Sequence, residues 1–231
     1  MAKKEKDTKR KAELERIAET CAWVPANPAR NFFEALQSFW FTYVAVMIEG
    51  WSVSVALGRP DQMLYPFYKK DIDEGRITKE EAQELIALFL LKIGGQVILQ
   101  SEDMVRNAGG PILIADMTLG GVTKDGKDAV NELSYLFLEA EKEVRLSVED
   151  FIIRINNKTP DAFLMKACEV LMLLRGKLKF LSDDTAIQAL ISDGKPVEYA
   201  RDYVIAGCYN LEVPGFARDL QFGMFSLPLL L

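Results

Sequence analysis

The residue types around position 208 are suited to thiol chemistry. A short apolar run at 203–206 ends at Gly207, and Cys208 follows at once, before a polar segment. This order is typical of a buried strand that delivers a reactive side chain from its C-terminal end. A lone cysteine in such a place is more often a small structural residue. The residues alone therefore leave a reactive and a structural interpretation of Cys208 open.

The absence of histidine narrows the chemistry available to this cysteine. Without histidine, the sequence excludes Ser-His-Asp and Cys-His catalysis within this chain, and most zinc and haem sites. The three cysteines, Cys21, Cys168 and Cys208, are odd in number and widely spaced, so they predict neither a disulfide framework nor a zinc cluster. Cys21 and Cys168 lie on apolar faces of predicted helices, and we expect both to be core residues.

Charge and hydropathy argue against nucleic-acid binding, membrane association and secretion. A net charge of −6 gives no electrostatic footprint for nucleic acid or for an anionic membrane surface. No apolar run reaches about 18 residues, and residues 1–20 lack the apolar segment of a signal peptide. We therefore expect a cytoplasmic protein with no membrane partner. A hydrophobic content of 49% is ample for a core.

Strand and helix patterns alternate along the chain, and this positions the cysteine. We predict strands at 51–57, 113–119, 150–156, 179–182 and 203–206, with helices between them. Asn27 and Pro28 predict the start of a helix at 28–48, and Thr78 with Glu81 predicts a capping box. Residues 101–110 are predicted to form a loop. This alternation favours a parallel α/β sheet or barrel with active groups at the C-terminal ends of its strands.

Several motifs, in collinear order over nearly the whole chain, resemble the pyruvate formate-lyase domain of glycyl radical enzymes. They are WVPANPAR at 23–30, EALQSF at 34–39, LGRPDQ at 57–62, LYPFY at 64–68, TLGG at 118–121, NELS at 131–134, AGC at 206–208 and VPG at 213–215. The resemblance implies an α/β fold that is part of a ten-stranded barrel with surrounding helices, whose cysteine loop projects into the centre.

The resemblance also implies a mechanism. In that family a backbone glycyl radical, installed by a radical SAM activating enzyme, takes a hydrogen atom from the loop cysteine. The thiyl radical so formed then takes one from a small-molecule substrate. Cys208 is the matching residue. No cofactor is expected to bind directly, and a homodimer is expected at full length.

The family's radical glycine motif, of the Arg-Val-(Ser/Ala)-Gly-Tyr type, is absent from this sequence. We therefore expect residues 1–231 to be a partial catalytic domain that lacks the N-terminal portion of the barrel and the C-terminal glycyl radical domain. Such a chain should not turn over by itself. A non-catalytic remnant that packs against a partner chain is the alternative.

The pocket positions depart from the dehydratase-type pattern Gly-Cys-Val-Glu. Asn210 stands where those members have a glutamate base, Phe222 where they have an aspartate, and Val53 where they have a histidine, although Ser54 is retained. Proton-coupled loss of water would then lack its acid and base. We expect a more apolar pocket, with candidate walls Trp51, Val53, Tyr209 and Phe222.

An apolar pocket favours radical addition of an apolar substrate to fumarate, as in alkyl- or arylalkylsuccinate synthases. Arg218 either contacts a fumarate carboxylate or pairs at the surface with Asp219 or Glu212. A dehydratase or C–X lyase, and a formate C-acetyltransferase, are the alternatives, although the latter usually has two adjacent cysteines and Tyr209 follows Cys208 here.

Other family-matching positions are predicted to be structural. Arg59, Asp61 and Arg154 are expected to pair with buried carboxylates and strand ends, and Gly120 and Gly121 to allow close backbone approach.

Overall fold

The structure is a computed structural model that describes residues 1–50, 54–96, 100–108, 114–146, 149–174, 177–207 and 209–216. A short 3-10 helix, Ala2–Lys4, precedes the α-helices. These are α1 Thr8–Trp23, α2 Phe32–Gly50, α3 Pro60–Met63, α4 Tyr65–Asp73, α5 Lys79–Gly94, α6 Glu102–Ala108, α7 Glu132–Val144, α8 Asp161–Leu174, α9 Asp183–Ser192 and α10 Val197–Ala200. The strands are β1 Ser54–Ala56, β2 Ile114–Gly120, β3 Glu149–Ile155, β4 Leu178–Ser182, β5 Val204–Ala206 and β6 Asn210–Glu212.

Strands β1 to β4 form a parallel sheet in the order of the sequence. Helices follow β1, β2 and β3 before the chain returns to the next strand, which is the connection that parallel strands require. This confirms the predicted α/β class with a parallel sheet. Among the described residues, β5 and β6 form a separate antiparallel pair.

Each face of the parallel sheet has its own hydrophobic core. On the outer face, Ala115, Met117 and Leu119 of β2 pack into a cluster with helices α2, α5, α7 and α8. On the opposite face, which we call the inner face, Ile152 of β3 packs with Ile205 of β5. Because other elements pack on both faces of the sheet, β2 and β3 are almost fully buried.

Helix ends follow the capping chemistry of the sequence, with one correction. The predicted capping box of Thr78 and Glu81 begins α5. Helix α2, however, begins at Phe32 and not at Pro28. The side chain of Asn31 accepts from Glu34 N at 2.9 Å, whereas the Asn27 side chain donates to Trp23 O at 3.0 Å. Asn31 therefore occupies the capping position.

Three further expectations are wrong. Residues 102–108 form helix α6 where a loop was predicted. Cys21 and Cys168 are exposed, not core. Helix α1 buries Thr20, and α8 turns Phe163, Ala167 and Val170 inward, so each cysteine lies one position away from the buried face. In the described part of the chain, no helix has the length and hydropathy needed to cross a membrane.

Candidate active site

The β5–β6 hairpin lies on the inner face of the sheet and is held there by side chains of β2. Ile205 N donates to Thr118 Oγ1 at 3.1 Å, and Gly207 N donates to Asp116 Oδ2 at 2.5 Å. Because the later residue of β5 contacts the earlier residue of β2, strand β5 runs antiparallel to β2. The tip of the hairpin therefore reaches the beginning of the parallel strands, not the C-terminal ends that the sequence analysis predicted for the active groups.

The hairpin tip, residues 207–209, joins strands β5 and β6. Their pair nearest the tip is Ala206 with Asn210. Gly207 has φ of +61°, and a Cβ built on it would lie 3.2 Å from Ser54 Oγ. Both the backbone angle and the close approach favour glycine at this position. Tyr209 also has a positive φ, of +92°, which is rare for a residue with a side chain. The polar segment after Cys208 thus contains the return strand of a tight hairpin, and not only a loop.

Three charged side chains lie on the inner face beneath this tip. They are Asp116 of β2, Asp150 of β3 and Lys179 of β4, and we call them the polar row. Asp116 and Asp150 are directly paired in register, and Lys179 Nζ lies 2.5 Å from Asp150 Oδ2. The Lys179 ammonium also lies 5.0 Å from the centroid of the Tyr209 ring, within cation–π range. The row thus contacts Gly207 and Tyr209.

Electrostatics differ along the polar row. Asp116 is fully buried, and this burial raises its pKa to about 6, against the hydrogen bond from Gly207 that lowers it. The neighbouring Asp150 carboxylate raises the pKa of Asp116 further, and Lys179 lowers it. For Lys179, burial is the largest single effect and lowers the pKa, but the hydrogen bond to Asp150 and the charges of Asp150, Tyr209 and Asp116 together leave the pKa raised. Lys179 is therefore a cation at neutral pH, whereas Asp116 titrates near it.

A second network holds the base of the hairpin. Arg154 of β3 bonds Asp183 Oδ1 at 2.6 Å and donates to Tyr203 O and Arg201 O at 3.0 and 2.8 Å. A Cβ on Gly121 would lie 2.5 Å from Arg154 Nε, so the guanidinium needs glycine there. The predicted structural role of Arg154, and the predicted close approach at Gly121, are confirmed.

Arg59 and Asp61 fasten the end of β2 in the same way. Arg59 bonds Asp202 at 2.9 Å and donates to the carbonyl oxygens of Gly120 and Val122. Asp61 accepts from Gly120 N at 2.8 Å and from Ser134 Oγ at 2.6 Å. Burial lowers the pKa of Arg59 and raises that of Asp61. The predicted structural roles of Arg59 and Asp61 are confirmed as well.

The structure brings some of the predicted site residues together. Ser54 and Tyr209 both lie at the hairpin tip or against it, whereas Asn210 is exposed on β6 opposite Ala206. The remaining predicted site residues lie outside the described residues, and they are Cys208, Trp51, Val53, Arg218 and Phe222. Tyr209 was expected to form part of an apolar wall, but the Lys179 ammonium lies against its ring.

Sequence reasoning missed the polar row. A signal was present in the sequence, because Asp116 and Thr118 alternate with Ala115, Met117 and Leu119. Such a period of two places the polar residues on one face of a strand. The segment was interpreted only as a buried strand, and the polar positions were not assigned to a face.

Comparison with known proteins yields consistent matches. The sequence matches the family described as Pyruvate formate lyase-like over residues 1–231. It is 40% identical over 220 residues to isethionate sulfite-lyase of Oleidesulfovibrio alaskensis, a match that covers 93% of this chain and 26% of that protein.

Solved structures agree with this match. One, from work on 1,2-propanediol dehydration in Roseburia inulinivorans, superimposes with a TM-score of 0.88 at 38% identity and covers 93% of this chain and 27% of that one. A glycyl radical enzyme from Archaeoglobus fulgidus superimposes with a TM-score of 0.87 at 35% identity, and covers 93% and 28%. The chain thus spans about a quarter of the length of these proteins.

Proposed function

We propose that this chain, which belongs to the Pyruvate formate lyase-like family of glycyl radical enzymes, forms the cysteine-bearing part of a radical lyase. In this proposal residues 1–231 are part of the catalytic domain. The N-terminal portion of the barrel and the radical glycine loop lie outside them. The active form is expected to be a homodimer that meets a radical SAM activating enzyme and a small-molecule substrate.

Cys208 is the proposed catalytic residue. The observation that carries this assignment is the hairpin tip, whose Gly207 and Tyr209 flank Cys208 in sequence and are both contacted from the sheet. An S–H bond is weak enough to exchange a hydrogen atom with a carbon centre, and neither partner needs to be ionised. The missing histidine is therefore no obstacle. The unpaired electron at the Cys208 sulfur originates from the family's glycyl radical.

The proposed reaction is elimination of water or of another group from a hydroxylated substrate. Isethionate sulfite-lyase and the 1,2-propanediol dehydration structure are both named for cleavage of this kind, of a C–S or a C–O bond. This favours the dehydratase or C–X lyase alternative over addition to fumarate. The charged polar row beneath the tip also suits a polar substrate better than a hydrocarbon.

Proton transfer is the step in which this chain departs from the dehydratase pattern. When a hydroxylated carbon radical expels its leaving group, the hydroxyl must release a proton. The amide of Asn210 cannot accept it, so another group has to act as the base. Asp116 and Asp150 are carboxylates that the described structure places beside the tip. In our proposal one of these carboxylates receives the proton and, where the leaving group is hydroxide, passes it on so that water is released.

Anaerobic assay of the full-length protein that carries this chain tests the proposal. After treatment with an activating enzyme, we expect turnover of isethionate or of a vicinal diol, and complete loss of that turnover in Cys208→Ser. Cys168→Ser is the matched control, because Cys168 is exposed on α8 and should leave the rate unchanged. Formation of a fumarate adduct with a hydrocarbon, and no elimination, would refute the proposed reaction.

Addition to fumarate is the second candidate, and the pocket residues favour it. Asn210, Phe222 and Val53 replace the charged or polar groups of the dehydratase pattern, and Arg218 is a candidate contact for a carboxylate. The same assay distinguishes the two reactions, because only addition consumes fumarate.

A further inference from the structure

We propose that Asp116 is a positioning residue for Cys208, and that it acts together with Asp150 and Lys179 by holding both flanks of the hairpin tip. The inference rests on the proposed function in one respect, since it takes Cys208 to be the catalytic residue. It concerns how the sheet sets the place of that residue, and not which reaction follows.

The first flank is fixed by a hydrogen bond from the backbone. Gly207 N donates to Asp116 Oδ2 at 2.5 Å, and Gly207 immediately precedes Cys208. Two residues earlier, Ile205 N donates to Thr118 Oγ1 at 3.1 Å. Two anchors at matching intervals on β5 and β2 fix both the height and the rotation of the hairpin above the sheet.

The buried state of Asp116 gives the first anchor its strength. The side chain is fully buried, and its Oδ1 atom makes no hydrogen bond to a residue that the structure describes. A buried carboxylate is costly unless it is hydrogen-bonded. Because the Gly207 amide is the donor described for this group, release of the tip would remove that donor from a buried carboxylate, and this penalty opposes the release.

The second flank is fixed by a side chain. Tyr209 immediately follows Cys208, and its ring centroid lies 5.0 Å from Lys179 Nζ. Lys179 is itself held at 2.5 Å by Asp150 Oδ2. The positive φ of Tyr209, +92°, is unfavourable for a residue with a side chain and persists only where the surroundings hold it. The Lys179 contact is such a restraint, so strain and restraint coincide at the tip.

The polar row thus does more than join strands. Asp116 and Asp150 are paired in register on neighbouring strands, and Lys179 lies on the next strand. One end of the row therefore holds the residue before Cys208, and the other end holds the residue after it. A displacement of either end should move the thiol.

The test uses this chain with Cys21→Ser and Cys168→Ser, so that Cys208 is the single thiol. Hydrogen exchange of the Gly207 amide and the alkylation rate of Cys208 are measured in Asp116→Ala, Asp116→Asn and Lys179→Met. Asp125→Ala is the matched control, because Asp125 is exposed in a turn. Since no turnover is measured, the result does not depend on the proposed elimination.

We expect Asp116→Ala to raise both rates by about tenfold or more, the equivalent of one hydrogen bond to a charged group. Asp116→Asn should stay within about threefold of the parent, because its amide oxygen still accepts from Gly207. If Asp116 acted only through its charge, the neutral asparagine would not keep the two rates near those of the parent. Lys179→Met should raise the alkylation rate of Cys208 and leave Gly207 exchange unchanged.

Two results would overturn the proposal. One is a folded Asp116→Ala variant whose Gly207 exchange and Cys208 alkylation match those of Asp125→Ala. The other applies if Asp116→Ala does not fold. In that case, an unchanged alkylation rate of Cys208 in Lys179→Met would show that the row does not position the thiol. An alkylation rate in Asp116→Asn as high as that of the unfolded chain would show the same.

Discussion

Replacing Arg154 by methionine should destabilise this chain more than any exposed arginine replacement. The Arg154 side chain is fully buried, and Asp183, its partner at 2.6 Å, is 1% exposed. Methionine fills a similar volume but removes the charge. Among the described residues, the buried Asp183 carboxylate then keeps Tyr203 Oη and Asn156 Nδ2 as donors. Breaking a buried pair from one side costs about 3–5 kcal/mol.

Two further losses add to this penalty. The carbonyl oxygens of Tyr203 and Arg201 lose their Arg154 donors, and the Tyr203 ring loses the guanidinium 3.9 Å from its centroid. These groups hold the base of the β5–β6 hairpin. The effect should therefore appear as a loss of hairpin order as well as a loss of global stability.

Urea unfolding followed by circular dichroism and tryptophan fluorescence measures the effect. With an m value of about 3 kcal/mol/M, we expect the midpoint of Arg154→Met to fall by about 1–2 M. Arg106→Met is the control, because Arg106 is 73% exposed in a helical pair with Glu102 and should change stability by less than about 1 kcal/mol.

A second variant tests the stated cause. Asp183→Asn in the Arg154→Met background neutralises the unpaired carboxylate while leaving an acceptor for Tyr203 Oη. The double variant should therefore be more stable than Arg154→Met alone. If the double variant is no more stable, or if Arg154→Met matches Arg106→Met, the buried-charge argument is refuted.

Three further outcomes are expected. Gly121→Ala should destabilise the chain by at least about 2 kcal/mol in urea unfolding, because a Cβ there would lie 2.5 Å from Arg154 Nε; Gly75→Ala, with a similar positive φ and open space, should lose only about 1 kcal/mol. Burial raises the pKa of Asp116 to about 6, above its unfolded value, so the folded state binds the proton more tightly. The free energy of unfolding should thus fall by up to about 3 kcal/mol between pH 4 and 6 and level off above, and Asp116→Asn should remove that fall. Finally, this 231-residue chain, treated with an activating enzyme, should show no glycyl radical doublet in electron paramagnetic resonance, because the radical glycine motif is absent; a doublet would contradict the partial-domain proposal.

Local chemistry explains what the sequence could predict of the fold. The capping box of Thr78 and Glu81 depends on residues three apart, so its pattern is complete within one helical turn. The apolar runs of β2 and β3 likewise carry their own signal. The start of α2 was less certain because Asn27 and Asn31 are both good caps, and the choice between them depends on the tertiary contact of Phe32 N with Asp71 Oδ2 at 2.8 Å.

The hairpin was harder to predict from sequence. Its second strand, Asn210–Glu212, has only three residues, which is too short for their polar–apolar alternation to identify a strand, and the positive φ before it belongs to Tyr209 and not to glycine. The usual signals of a tight turn are therefore missing on that side. The pairing depends instead on Thr118 and Asp116, which lie about ninety residues earlier in the chain.

The candidate site shows the same division. Cys208 could be selected from its local context, although its role stays a prediction. Lys179 could not, because its meeting with Asp150 and Tyr209 requires three elements to come together. A lysine in a short strand carries no local sign of such partners.

The two anchors of β5 also determine how freely this hairpin can change in length. Ile205 and Gly207 match Thr118 and Asp116 at a spacing of two residues on each strand. One inserted residue would turn the following side chains to the opposite face. Two inserted residues would restore the facing but carry the tip about 6.6 Å further, past Ser54. The spacing between Ile205 and Gly207 therefore sets how far the hairpin reaches, and substitutions around the tip should be tolerated better than any insertion or deletion in β5.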